Sequence, residues 1–513
     1  MARFAPVALA TIAAIGAAAC KRSSSDLPLS GVGPDEVPNV PIPPADGPKL
    51  AILREGVAVV ERPAAGARML GELRSGALVS RSPTPYGKSG CEGGWYAIRP
   101  RGFVCAGDAA SIDAPAARAL PAPPRLDRAL PYRYGRTRTD SVPVYGRVPT
   151  PAEQLAAETD LGRWLPGRAE ADSEPLGSAA NDVPVDARAV ASGPPVLLVG
   201  GDGVDASGKR TALSFFSFSN ELPAASIASA NEVKVGSLRK NSGVAVAGTF
   251  TAPGPSGPRR FGLMPDGRIV PTDRLRPALG STWSGIDLEK GALPVAFVHK
   301  SSGVFFYTLN KGKATPKDEE LERRTAIQMS GKFRTVGGVR FEQTKDGDWL
   351  RSQDVVVVVR RSKWPEFAVA KQKWIDISLA NQTLTAYEGK KPIYATLVSS
   401  GRDCIGDPQT TASTVRGAFR VRSKHISRAI DNREVYQSYD VADAPWVIEF
   451  EPGYAITASY WNDPVGEAQN YHNVTLSPVD ARRIWSWVDP QVPEGWHGVL
   501  DTGAETTMVN VRP

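Results

Sequence analysis

Along most of this chain apolar side chains recur at every second position, and the i, i+3, i+4 spacing of an amphipathic helix is scarce. From Trp374 the order Trp-Ile-Asp-Ile-Ser-Leu-Ala-Asn-Gln-Thr-Leu-Thr-Ala-Tyr-Glu-Gly-Lys-Lys-Pro-Ile-Tyr-Ala-Thr-Leu-Val gives three strand-like runs, broken at Asn381-Gln382 and Glu388-Gly389. Successive strand side chains point to opposite faces, so this alternation predicts a β-meander. Gly94-Trp95-Tyr96-Ala97-Ile98 and Gly102-Phe103-Val104 predict an earlier hairpin around Arg99-Pro100-Arg101. The runs at 195–199, 213–218 and 355–359 are strand-like too, so the region 196–371 is expected to be β-rich. The expected class is mainly β.

Chain length divides these strands among several units. The chain has 513 residues and 44 prolines, more than one core accounts for. An Ala/Pro stretch at 114–124 and a second at about 165–195 read as linkers, giving a linker-rich segment over 113–195. Gly203-Val204-Asp205-Ala206-Ser207-Gly208-Lys209 imitates the start of a phosphate-binding loop. Arg210 stands where the Mg²⁺-binding hydroxyl belongs, and the residues after it read as strand, so no nucleotide cofactor is expected.

The N-terminus indicates export. Met1-Ala2-Arg3 precedes an apolar stretch from Phe4 to Ala19, too short to span a bilayer, and small residues lead into Cys20. Ala17-Ala18-Ala19-Cys20 resembles a bacterial lipobox, with alanine at the position where leucine is preferred. That resemblance implies a lipoprotein-type signal over 1–19 and a lipid on Cys20; ordinary signal-peptide cleavage is the alternative. Residues 20–47, rich in Ser, Pro, Gly and Asp, read as a flexible tether. The net charge of +7 favours anionic surfaces, but it is spread along the chain and no nucleic-acid motif accompanies it, so nucleic acid is not an expected partner.

Of the four cysteines, Cys91 and Cys105 flank the predicted hairpin. In an oxidising compartment a bridge across a loop of that size stabilises by roughly 3 kcal/mol. No third or fourth Cys or His lies nearby, so no metal site is expected. The segment 48–112, with its Gly-Trp-Tyr and Gly-Phe-Val, resembles a small bacterial SH3-like barrel. Such modules bind wall peptides or serve as spacers, and the motif marks the fold more than a pocket.

The C-terminal region carries the most specific signal. Besides the meander ending in Ser400-Gly401-Arg402, it holds Thr414-Val415-Arg416-Gly417-Ala418-Phe419, Ser459-Tyr460-Trp461, Val474-Thr475-Leu476-Ser477-Pro478 and Pro493-Glu494-Gly495-Trp496-His497-Gly498. Together these blocks resemble the L,D-transpeptidase family, the YkuD-type catalytic domain, over 372–513. The resemblance implies a β-sandwich acting on peptidoglycan stem peptides in the cell envelope. In that family a cysteine in Ser-His-Gly-Cys-Val-Asn-Leu-Ser-Pro is the acylated nucleophile, and a histidine in His-Gly-Ala-Tyr-Trp is its base. Here the cysteine position is Asn473, the glycine before it is His472, the histidine before that is Tyr471, and the upstream base position is Thr457. The interval of 473 − 457 = 16 residues keeps about the family's spacing while both members of the pair have changed.

An amide is not a nucleophile of this kind, a hydroxyl is not a base, and a reactive thiolate needs a neighbour that lowers its pKa. The leading expectation is therefore a catalytically degenerate domain that binds peptidoglycan or regulates wall remodelling, with Tyr460, Trp461, His472 and Asn473 lining a concave, polar cleft. The lipid on Cys20 would hold it to a membrane facing the periplasm. Two other readings stay open. One is an active acyltransferase with Cys404 as a relocated nucleophile served by His472 or His425, or with a Ser459 or Thr457 hydroxyl in that role. The other is a structural or partner-binding lipoprotein.

Overall fold

The computed structural model describes residues 39–113, 121–164, 233–288, 293–430, 441–500, 503 and 506–513. The signal segment, Cys20 and much of the tether lie outside the described residues. So do 114–120 and 165–195 of the linker-rich segment, the runs at 195–199 and 213–218, and the phosphate-loop imitation at 203–209, whereas 121–164 of that segment is described and carries the strands Arg133–Thr137 and Val142–Tyr145 and the helix Pro151–Ala157 where a linker was expected.

Strands dominate, and the longest helix among the described residues is Pro478–Trp487. The N-terminal unit consists of the short strands Lys49–Ile52, Val57–Val60, Met69–Leu73, Leu78–Ser80, Trp95–Ala97, Phe103–Cys105 and Ala110–Ser111. They close over Leu50, Ile52, Val59, Leu73, Ile98 and Val104. Trp95–Ala97 pairs antiparallel with Phe103–Cys105, the expected hairpin, and the Cys91–Cys105 disulfide ties its ends.

Two further sheets draw mainly on the described part of the middle region. A five-stranded sheet is built from Val142–Tyr145, Lys234–Leu238, Gly248–Gly254, Gly257–Leu263 and Ile269–Pro271; a seven-stranded one spans Val295–Val298 to Val355–Val358.

In the C-terminal region the meander forms as expected. Lys373–Ser378, Thr383–Glu388 and Lys391–Leu397 are antiparallel neighbours, and Met508–Arg512 adds parallel to the first. Facing them is a layer of Ser423–Ile430, Val441–Glu451, Tyr454–Ala458 and Val474–Leu476. Ile375, Ile377, Leu384, Trp446, Ile456 and Leu476 meet between the layers in a dry core. Ser477 caps the Pro478–Trp487 helix by accepting from the Asp480 N–H, with proline in the first turn, where its missing N–H leaves no helical bond unmade. Buried Asp480 ties that helix to the meander through the Tyr394 hydroxyl at 2.6 Å, and to the segment before Ile286–Asp287 through the Gly285 N–H at 3.0 Å.

The sheets cross the divisions suggested by chain order. Met69–Leu73 of the N-terminal unit pairs antiparallel with Trp496–Leu500, which pairs in turn with Ser423–Ile430. On the other side Gly243–Val246 meets Val441–Glu451 at Gly243↔Val441. The close approach needs glycine: a Cβ on Gly71 would stand 2.4 Å from the Gly498 carbonyl oxygen and 2.6 Å from the Trp496 ring. Backbone ladders therefore fasten the C-terminal region to its neighbours on both flanks.

Candidate active site of the C-terminal sandwich

Tyr454–Ala458 and Val474–Leu476 run parallel, with Thr457 opposite Thr475 and Ile456 opposite Val474. This register brings Thr457 and Asn473, the positions the resemblance assigns to the pair, close together, Thr457 within one strand and Asn473 immediately before its neighbour. The Thr457 hydroxyl donates to the Pro445 carbonyl at 2.8 Å, and the Asn473 carboxamide oxygen accepts the Ala455 N–H at 3.0 Å. Their relative exposures are 0% and 4%. Each side chain thus satisfies backbone inside the sheet.

His472 has φ 59°, in the left-handed region that glycine adopts freely. This is the position where the resembled motif carries glycine. Its Nε2 faces the Thr411 carbonyl at 3.1 Å, so that nitrogen carries the proton. Burial lowers its pKa and favours the neutral ring. The ring stacks on Tyr454 with centroids 4.9 Å apart, the Tyr471 ring lies 4.1 Å away and tilted to it, and the His472 carbonyl accepts from Thr414 Oγ1 at 2.8 Å.

Cys404 sits half-buried at φ 49° in the loop 401–416. Asp403 holds that loop by accepting the Ala412 N–H at 2.7 Å, and the Arg402 N–H donates to the Asn470 carbonyl at 2.8 Å. The structure brings neither proposed histidine into hydrogen-bonding contact with the thiol. His472 faces Thr411, while His425, on a different strand, is turned to Glu72 and Ser423. The Ser459 hydroxyl bonds to Asn462.

An open polar cleft was expected between Tyr460-Trp461 and Tyr471-His472-Asn473. In the structure these side chains are packed, and only Tyr471 remains half-exposed. Tyr460 lies on Tyr134 with ring centroids 4.1 Å apart, and a Cβ on Gly243 would strike its hydroxyl at 2.1 Å. The Trp461 carbonyl accepts from Arg136 at 2.8 Å, and Trp446 Nε1 donates to the Ala129 carbonyl at 2.6 Å. The segment around 129–136 covers this face with aromatic packing that the C-terminal sequence could not reveal.

A buried polar network at the seam with the N-terminal unit was also illegible. Glu72 Oε1 meets His425 Nδ1 at 2.8 Å across 353 residues of sequence, and His425 Nε2 lies 3.2 Å from Ser423 Oγ. Ser423 bonds onward to Glu449 at 2.9 Å. Burial alone would raise the Glu72 carboxyl, but the facing imidazole outweighs it and holds the group at about 2. Burial lowers both His425 and His497. Glu55, 3.4 Å from His497 Nδ1, is pushed up by burial to about 8 and is therefore mainly protonated at neutral pH. Because His497 Nε2 donates to the Ser427 carbonyl at 2.7 Å, its Nδ1 is left as an acceptor facing that neutral acid.

Comparison with solved structures returns L,D-transpeptidases at low identity. The catalytic domain of the Enterococcus faecium enzyme is 18% identical, covering 28% of this chain and 98% of its own, with a TM-score of 0.21. The Stackebrandtia nassauensis enzyme is 18% identical, covering 30% and 62%, with a TM-score of 0.21. L,D-transpeptidase 3 of Mycobacterium tuberculosis is 16% identical, covering 36% and 79%, with a TM-score of 0.22. The chain thus spans less than two thirds of the Stackebrandtia structure. No curated protein matches it. Residues 372–494 match the L,D-transpeptidase catalytic domain, the YkuD family.

Proposed function

We propose that this chain is an exported, lipid-anchored envelope protein whose transpeptidase-like region no longer performs acyl transfer, and which binds peptidoglycan or regulates its remodelling. The observation that carries the reading is the state of the family pair. By the resemblance Asn473 and Thr457 stand at the nucleophile and base positions, and both are bound to backbone. Acyl transfer from a stem peptide needs a thiolate and a proton acceptor; removing such a pair costs several orders of magnitude in rate and leaves binding behind. The N-terminal unit, resembling a wall-binding SH3-like module, would add a second contact. A lipid on Cys20 would place both beside the wall.

The test is intact-protein mass spectrometry of residues 21–513 after incubation with a tetrapeptide donor or a carbapenem, alongside co-sedimentation with purified sacculi. The reading expects no adduct, while an active family member is labelled in parallel, together with retention on sacculi. A stoichiometric adduct abolished by Cys404→Ala would overturn it in favour of a relocated nucleophile. Absence of sacculus binding would leave a structural lipoprotein.

A further inference from the structure

Where the N-terminal unit meets the transpeptidase-like region, the surface opens into a groove of about 710 Å³, distinct from the Thr457–Asn473 position. This volume lies within the range of roughly 300 to 1,000 Å³ typical of ligand sites, which favour the seams between domains. Its walls come from both sides of the seam, so it exists only because Met69–Leu73 and Trp496–Leu500 share a ladder. Leu78 and Leu126 stand in it 50% and 47% exposed, an apolar surface left uncovered among the described residues. Trp485 and Trp496 form part of its lining, held by indole bonds to the His425 and Arg99 carbonyls at 2.9 and 3.4 Å.

The charge in the groove is one-sided. Lys49, Arg74 and Arg99 line it against a single carboxylate, Glu494. Lys49 donates to the Ala45 carbonyl and the Ser80 hydroxyl at 2.5 and 2.8 Å, Arg74 to the Ser75 carbonyl at 3.0 Å, and Arg99 to the Pro43 carbonyl at 3.2 Å. Among the described residues none of the three forms an ion pair. Arg74 is only 9% exposed, so its charge is held where water screens it weakly.

We propose that this groove is the ligand-binding site of the protein and that it takes a carboxylate-bearing peptide, the cations pairing with its carboxylates and Leu78 and Leu126 covering its aliphatic parts. An inorganic anion would leave the apolar wall unused. A nucleic acid would find no free ring to stack on, because Trp485 and Trp496 are 7% and 1% exposed. The identification of the peptide as a wall stem peptide rests on the function proposed above. Its several free carboxylates match the three cations, and guanidinium–carboxylate pairs in a partly desolvated site are the strong class of polar contact.

The experiment is isothermal titration of residues 21–513 with a synthetic stem tetrapeptide, its carboxamide-capped counterpart and citrate, with sacculus co-sedimentation run on the same proteins. Lys49→Gln combined with Arg99→Gln, and separately Leu78→Asp on the exposed wall, are expected to weaken tetrapeptide binding about tenfold or more, since each removes a charge-assisted pair or an apolar contact. Circular dichroism should match wild type, and the capped peptide should bind correspondingly weakly. Unchanged tetrapeptide affinity in both variants, or sacculus retention without binding of the free peptide, overturns the groove assignment and leaves the wall-binding reading standing. Citrate binding as tightly as the peptide overturns the peptide assignment. Wild-type protein that binds neither peptide nor sacculi overturns both.

Discussion

Replacing Glu72 with alanine should loosen the seam between the N-terminal unit and the transpeptidase-like region, by an amount that two routes put at the same level. Glu72 and His425 meet at 2.8 Å with side chains 8% and 0% exposed, so little water can stand in for the lost partner. An orphaned buried donor costs about 1 to 3 kcal/mol, and breaking a buried charged pair about 3 to 5. Independently, a carboxyl held at about 2 against an ordinary 4.5 is stabilised as its anion by roughly 3 kcal/mol, at 1.36 kcal/mol per tenfold. Both routes indicate about 3 kcal/mol, or about a hundredfold in the local opening equilibrium. Hydrogen-exchange mass spectrometry at pH 7.5 reads this directly in peptides covering Met69–Leu73 and Ser423–Ile430. Glu72→Gln, which keeps an acceptor for the imidazole N–H, should accelerate exchange less than tenfold. Because the folded carboxyl lies below its unfolded value, the contribution is fully present above about pH 4.5 and is lost as pH falls towards 2. The gap between wild type and Glu72→Ala should therefore narrow over that window. Exchange in Glu72→Ala within threefold of wild type at these two strands, or acceleration equally large throughout the seven-stranded sheet, would refute the assignment of the pair as a local clasp.

Other outcomes follow from the same contacts. His497 is held neutral by burial, so its contribution is complete above pH 6.5 and should decline as the unfolded-chain imidazole protonates below it; urea unfolding at pH 7.5 and 5.5, followed by tryptophan fluorescence, should show a lower midpoint at pH 5.5. Glu55→Gln mimics the protonated acid and should leave stability at pH 4 within about 1 kcal/mol of wild type while raising it increasingly between pH 4.5 and 8, because over that window the unfolded carboxyl is ionised and the buried one, titrating at about 8, is still protonated; equal changes at pH 4 and pH 9 would contradict a protonated Glu55. Asn473→Ala strips the Ala455 N–H of its acceptor and should lower the unfolding midpoint by the equivalent of about 1 to 3 kcal/mol, whereas Asn473→Asp keeps an acceptor and should be milder. Cys91→Ser with Cys105→Ser should destabilise the N-terminal unit by roughly 3 kcal/mol, measured as faster exchange across Trp95–Ala97.

Local chemistry made much of this molecule readable in the sequence. Alternation around Trp374 to Leu397 specified a meander because strand side chains change face at every residue, and the strands formed as read. Gly-Trp-Tyr and Gly-Phe-Val marked a hairpin for the same reason. The proposed absence of the usual acyl-transfer pair rests on residue identity under the resemblance, Asn473 and Thr457 being a carboxamide and a hydroxyl, which lack the required reactivity wherever they stand. What those side chains do instead was decided by tertiary structure: the Pro445 carbonyl and the Ala455 N–H are partners only because three strands lie side by side. The closing of the expected cleft was decided far away, by Tyr134, Arg136 and Gly243, which carry no local signal of that role. The same is true of the seam. Glu72 and His425 are separated by 353 residues, and nothing in either neighbourhood indicates that desolvation will force them to pair. Alternation determines which residues face inward; only the packed sheets determine which distant charges and apolar surfaces then share a dry interior or an open groove.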